Sequence, residues 1–263
     1  MKKTKFVSII VCLLCAMLVF SSCTSNNESE PKMSDADFIQ SMSKALENRW
    51  AMSTKDEENG KDVTVEMMNK YIQAELDELT PYETAQFEDT KLQEKAIRYI
   101  NCLKDSKEHI EYYFSDNYEE NEKWDDIYNT RSVLIKDFVE NYGLTVSKKY
   151  QNTLNEFLTN GKSVEAQEDK EKAMKKLVDS LEFKQVKDDG YWKTYQATLN
   201  NTSEYDIKYV SIDISLLDKN GTIIGTEYAN AENVSKGKKA LLEFNTDEEF
   251  SKIEMILDYY ETN

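Results

Sequence analysis

Histidine and thiol groups, the usual zinc ligands and nucleophiles, are almost missing from this chain of 263 residues. The chain has one histidine, His109, and four cysteines. Three of those cysteines lie within the first 23 residues, so Cys102 is the only thiol in the remainder and we predict no internal disulfide. Structural zinc sites need several cysteine or histidine ligands, and we predict none here.

Cys102 and His109 do not have the spacing of a catalytic pair. On a helix they lie about 10 Å apart along the axis, whereas a nucleophile and its base need a hydrogen bond of about 3 Å. We predict that Cys102 packs inside the protein and that His109 lies on a helix surface. The chain also has no H-E-x-x-H, G-x-S-x-G or Walker A sequence. We therefore predict that the protein is not an enzyme.

Glycine, proline and basic residues are scarce as well. Seven glycines and two prolines favour long helices over part of the chain. Of 33 basic residues, three lie in the first five positions, which leaves 30 against 50 acidic residues and a net charge near −20. Such a surface repels nucleic acid and anionic headgroups, so we exclude both as main ligands. We interpret the acidity as an aid to solubility, with cation binding or a basic partner as the alternative.

The start of the chain has the composition of an export signal. Three lysines in residues 1–5 precede an almost unbroken apolar run over residues 6–20. That run is short for a membrane span, which needs about 20 residues, and no second run follows. We predict a signal peptide at residues 1–22.

The end of this segment, Phe20-Ser21-Ser22-Cys23, resembles the lipobox of bacterial lipoproteins. Phe20 departs from the leucine that the pattern prefers. The resemblance implies that Cys23 carries a diacylglyceryl group, and two acyl chains make membrane anchoring stable. The alternative is a secreted or membrane-embedded protein with an incidental cysteine. Residues 23–33 are polar and aperiodic, and we predict that they form a flexible tether.

Helical periodicity begins at Ser34, a candidate N-cap. We predict a helical domain over residues 34–181, built as an antiparallel bundle. Its expected helices span residues 34–54, 64–80, 89–114, 124–142, 147–158 and 164–181. Pro81 should end the second helix, Gly143 should cap the fourth, and Asn160-Gly161 should end the fifth.

From Glu182 the apolar residues recur with period two. Residues 210–217 (VSIDISLL) place Val210, Ile212, Ile214 and Leu216 on one face and Ser211, Asp213 and Ser215 on the other. Asn220-Gly221 predicts a tight hairpin turn. Several short strands over residues 182–263 predict a small antiparallel β-sandwich.

These last 80 or so residues resemble the FxLYD domain of exported bacterial proteins. The signature positions read Ile214-Ser215-Leu216-Leu217-Asp218, in which Leu216 and Asp218 match, while Ile214 and Leu217 replace Phe and Tyr. The resemblance implies an immunoglobulin-like extracytoplasmic module without a catalytic centre. The expected fold class is therefore α+β and multidomain, with an N-terminal helical bundle followed by an immunoglobulin-like antiparallel β-sandwich.

We predict no metal and no cofactor. Residues 218–221 (DKNG) lack the later ligands of an EF-hand loop and are interpreted as a turn. The acidic residues 119–126 are interpreted as a solvated helix start. Paired carboxylates for glycoside hydrolysis remain open as an alternative, because such a pair meets only in the folded protein.

Aromatic side chains near the end of the chain are the candidate binding residues. Exposed rings can stack on sugars or peptides, and packing inside the sandwich is the alternative. The candidates are Tyr191, Trp192, Tyr205, Tyr209 and Tyr260.

The function expected from these patterns is that of a non-enzymatic binding or scaffolding lipoprotein, anchored on the extracytoplasmic face of the cell membrane. Its partner would be an envelope protein or polymer. The alternatives are an envelope polymer hydrolase and an accessory subunit of a membrane complex.

Overall fold

The structure, a computed structural model, describes residues 34–263. Residues 1–33 lie outside the described part of the chain. They include the predicted signal peptide (1–22), Cys23 and the predicted tether (23–33). The described part is one compact unit with helices first and antiparallel sheets after them, so the α+β class is confirmed.

Five helices make up the first part of the described chain. The N-cap predicted at Ser34 is confirmed, and Ser34 forms a reciprocal capping box with Asp37. Thr64 caps α2 through a hydrogen bond from the backbone N–H of Met67. Gly143 ends the fourth helix in the left-handed conformation, as predicted. The bounds are α1 Asp35–Glu58, α2 Val65–Leu79, α3 Thr90–Glu108, α4 Tyr118–Tyr142 and α5 Gln151–Asp179.

Some of the predicted helix bounds are wrong. α1 continues past residue 54 to Glu58, and α4 begins at Tyr118 and not at residue 124. The third helix stops at Glu108, and residues Ile110–Phe114 form a separate 3₁₀ turn. The break predicted at Asn160-Gly161 does not occur, since α5 runs through it. A Cβ at Gly161 would lie 2.8 Å from the carbonyl oxygen of Ser132, so this glycine allows α4 and α5 to approach closely. It serves packing between helices and does not end the helix.

The helices enclose the first hydrophobic core. Residues from all five helices contribute, and the aromatic rings meet mainly edge to face. Among its fully buried members are Phe38, Met42, Leu46, Ile72, Leu92, Tyr99, Ile100, Leu103, Ile135 and Phe138.

Six strands follow, paired antiparallel in two sheets of three. One sheet has the order β1-β2-β5 and the other β4-β3-β6. The strands are β1 Lys184–Asp188, β2 Lys193–Asn200, β3 Ile207–Leu217, β4 Ile223–Val234, β5 Lys239–Thr246 and β6 Lys252–Thr262.

The inward residues of both sheets share the second core. The predicted inward set of β3 is buried, with Ile212, Ile214 and Leu216 fully so. The last turns of α5 complete this core with Met174, Leu177 and Val178. The second core therefore begins before residue 182, inside α5.

Candidate binding surface

Cys102, the one thiol among the described residues, has the burial and pKa of an unreactive thiol. Cys102 is buried, and its Sγ donates to the carbonyl oxygen of Ile127 at 3.3 Å. Burial raises the pKa of this thiol to about 11, so little of it is thiolate near neutral pH. His109 follows the last residue of α3, and its ring stacks on Tyr112 with centroids 4.9 Å apart. The two side chains thus have different partners.

Sequence reasoning missed a group of charged residues inside the helical core. Both oxygens of the buried Glu75 carboxylate are occupied: one accepts from Arg49 and Arg131, and the other accepts from the hydroxyl of Tyr99 at 2.8 Å. Arg131 Nε also donates to that hydroxyl, at 3.0 Å. Burial raises the pKa of Tyr99 well above its ordinary value. With its oxygens occupied, Glu75 is suited to holding helices together and not to proton transfer.

Two acidic segments have the roles predicted for them: residues 218–221 form a turn, and residues 119–126 lie at the start of a helix. The Asp218 carboxylate accepts from the backbone N–H groups of Asn220 and Thr222, which lowers its pKa and fixes the turn before β4. The acidic residues from 119 to 126 lie in the first turns of α4, behind an Asn117 N-cap. Within residues 34–263, no three His, Cys, Asp or Glu side chains come together as a metal site.

Three of the predicted binding aromatics lie beyond opposite ends of β2, a strand about 26 Å long. Tyr191 and Trp192 are exposed in the turn before it, with ring centroids 5.5 Å apart. Tyr205 follows the other end. These five residues therefore do not form one surface.

Two of the predicted aromatics face the core and are half-buried. Tyr260 packs against the second core and pairs with the inward Val210, although simple alternation from the inward Ile253, Met255 and Leu257 would place it on the outward side. The reason is a bulge: Asp258 has no partner on β3, so the phase of β6 changes there. The hydroxyl of Tyr260 accepts from Gln167 of α5 at 2.7 Å. Tyr205 is also packed against the second core.

Tyr209 instead belongs to an exposed surface on the sheet β4-β3-β6. Asp213, in the middle strand, has Tyr228 of β4 and Ile256 of β6 as its direct cross-strand neighbours. One pair further along, Tyr259 lies beside Ser211, and its ring centroid is 6.1 Å from that of Tyr209. We call Tyr209, Asp213, Tyr228, Ile256 and Tyr259 the outer sheet face.

Three residues of this face are unusually open to solvent. The exposed fractions are 68% for Tyr228, 66% for Ile256 and 55% for Tyr259. The period-two pattern placed Asp213 on the outward side of β3. The same alternation in β4 and β6, combined with the strand pairing, would have predicted that Tyr228 and Ile256 also face outward beside Asp213.

A polar cleft of about 610 Å³ lies between α3, α4 and α5. Its lining includes Arg98, Asp126, Asn129, Glu168 and Glu171. Glu168 and Glu171 each bind a lysine four residues further along α5, at 3.0 and 2.5 Å. The cleft brings carboxylates together but has no aromatic side chain in its wall.

No family model, curated protein or solved structure matches the chain significantly. Of the helices in residues 34–263, none is both long enough and apolar enough to cross a membrane.

Proposed function

We propose that this protein is a lipid-anchored extracytoplasmic lipoprotein that binds an envelope protein through its outer sheet face and does not act as an enzyme. Anchoring through Cys23 rests on the sequence alone. The fold supports the binding role because the sheet β4-β3-β6 presents a regular, exposed surface.

The exposure of Tyr228, Ile256 and Tyr259 carries the proposal. Strand positions that face water are ordinarily polar, as Thr226 and Asn230 are in β4. Three large side chains close together on such a face are mostly exposed, and the ring contact that Tyr259 makes with Tyr209 lies within the face itself. Clusters of this kind mark interaction sites on soluble proteins, and tyrosine is among the residues enriched where proteins meet.

We further propose that the two sheets form an immunoglobulin-like sandwich of the FxLYD type. In support, Leu199 and Leu242 of one sheet share a core with Ile212 and Ile214 of the other. Leu216, one of the two matching signature positions, is fully buried. Asp218, the other, fixes the hairpin turn.

The polar cleft favours an alternative function, hydrolysis of an envelope polymer. The carboxylate of Asp126 has no hydrogen bond or ion pair with another described residue, so among the cleft carboxylates it is the one free to act. If the protein is a hydrolase, Asp126→Asn will abolish release of soluble fragments from cell-wall preparations. We favour the binding role because the cleft lacks the aromatic platforms that stack on sugar rings.

Photo-cross-linking in intact cells tests the binding role. Benzoylphenylalanine in place of Asn230, an outward neighbour of Tyr228, should give one dominant adduct with the full lipid-anchored chain. The double variant Tyr228→Ser with Ile256→Ser, which removes two exposed side chains of the outer sheet face, should abolish that adduct. Leu241→Ser is the matched control, because Leu241 is 60% exposed on the outward side of the other sheet. An adduct that survives the double replacement would refute the proposal.

A further inference from the structure

We infer that the partner inserts a lysine or arginine side chain onto the outer sheet face, where its positive charge pairs with Asp213. This inference rests on the proposed binding role and names the chemistry of the partner. It starts from the position of Asp213 at the centre of the exposed apolar residues.

The carboxylate of Asp213 has no hydrogen bond or ion pair with any other residue in the range 34–263. Ser211, the preceding outward residue of β3, differs in this respect because its hydroxyl donates to Asp258 at 3.0 Å. Aspartate is disfavoured within strands, and here no contact inside the protein offsets that cost. A ligand that pairs with the carboxylate would offset it.

The neighbours of Asp213 suit the two parts of a long basic side chain. Cross-strand neighbours place their Cβ atoms about 5 Å apart, so Tyr228 and Ile256 flank the carboxylate closely. The methylene stem of a lysine or arginine can pack along Ile256. The cation can then lie over the ring of Tyr228 and still reach Asp213.

The charge around the face favours the same class of partner. Five carboxylates lie on or beside the outward side of the three strands, and only two ammonium groups pair with them. The excess of negative charge attracts a basic segment and repels a polyanionic polymer. The carboxylates belong to Asp213, Glu232, Glu254, Asp258 and Glu261, and the ammonium groups to Lys208 and Lys252.

Two capped peptides test the inference on the protein spanning residues 24–263. One is Gly-Leu-Arg-Leu-Gly, and the other has citrulline, which is neutral and almost the same shape, in place of arginine. NMR titration that follows the Ile256 methyl groups measures both affinities. We expect the arginine peptide to bind about fivefold to tenfold more tightly, the combined effect of one exposed ion pair and one cation–π contact.

Asp213→Asn should remove the part of this preference that comes from the ion pair and leave only the smaller part that comes from the cation–π contact with Tyr228. Asp247→Asn is the control, because Asp247 is also exposed and has no partner among the described residues. Equal affinities for the unchanged protein, no shift of Ile256 with the arginine peptide, or an unchanged preference in Asp213→Asn would each overturn the inference.

The cell experiment separates this inference from the proposed function. If the adduct at position 230 depends on Tyr228 and Ile256 but forms normally in Asp213→Asn, the binding role stands and the cationic partner is wrong. If the adduct still forms after Tyr228 and Ile256 are both replaced by serine, the binding role itself is wrong.

Discussion

Glu75 of α2 and Arg131 of α4 form an ion pair inside the helical core, where both side chains are almost completely hidden from water. Arg49 of α1 binds the same carboxylate oxygen, and Tyr99 of α3 binds the other. One carboxylate thus connects four helices. The Glu75 carboxylate supplies the counter-charge for two guanidinium groups, the buried one of Arg131 and the largely buried one of Arg49.

Glu75→Gln should therefore destabilise the protein strongly, by about 3–5 kcal/mol, because it leaves buried positive charge uncompensated. Urea unfolding measures the loss. The control is Glu78→Gln, since Glu78 pairs with the exposed Lys44 and should contribute less than about 1 kcal/mol. Equal losses in the two variants would contradict a structural role for Glu75.

Gly161→Ala should destabilise the protein even though alanine is the better helix former by about 1 kcal/mol. The added methyl group would meet the backbone of Ser132, which must move to admit it. Ser163→Ala, at an exposed position of the same helix, should instead be neutral or slightly stabilising. Thermal melts show whether each variant is more or less stable than the unchanged protein. A stabilised Gly161→Ala would show that α4 and α5 can separate freely.

Leu216→Asp should cost several kcal/mol, because it buries a carboxylate without a partner. That cost is comparable to the total stability of a small domain. Ser215→Asp, on the opposite side of β3, should cost less than about 1 kcal/mol, mainly from repulsion by Glu254. Circular dichroism melts compare the two. If Ser215→Asp were the more damaging, the register of β3 would be reversed.

Cys102 should make the protein less stable at high pH. Its pKa rises from 9.0 to about 11 on folding, so its contribution is complete below pH 9 and is lost as the pH rises through 11. The loss should reach about 1–3 kcal/mol. Urea unfolding of Cys102→Ala between pH 8.5 and 11 should show a shallower decline than the unchanged protein. Parallel declines would mean that the thiol is not desolvated.

Cys23→Ser should prevent lipid attachment and leave uncleaved precursor, because the peptidase of lipoproteins acts after modification. Metabolic labelling with a fatty acid and detergent partitioning measure the effect. Cys102→Ser controls for thiol chemistry in general and should label normally. Continued labelling of Cys23→Ser would rule out the anchor.

Local sequence was enough to predict the parts of the fold that local chemistry decides. Ser34 and Thr64 cap helices because their hydroxyls reach backbone N–H groups three residues on. Gly143 ends α4 because it tolerates a positive φ. The alternation of β3 correctly predicted Leu216 as buried.

Features that depend on distant parts of the chain could not be predicted. Gly161 looks like a helix end until the backbone of Ser132 is placed beside it. Glu75 is a charged residue on the apolar side of α2, and only the fold brings its partner Arg131 to it across 56 positions. Tyr260 faces the core and not the solvent side of its sheet because of a bulge at Asp258, which the alternation of β6 does not reveal.

The unbroken course of α5 has a mechanical consequence. Its 29 residues extend about 44 Å, with Leu154 and Phe157 set in the helical core and Met174, Leu177 and Val178 set in the core of the sheets. A pull on the sheets is carried along the hydrogen bonds of this helix into the bundle, with no linker to swivel or stretch between them. A partner held by the sheets would therefore load both cores together.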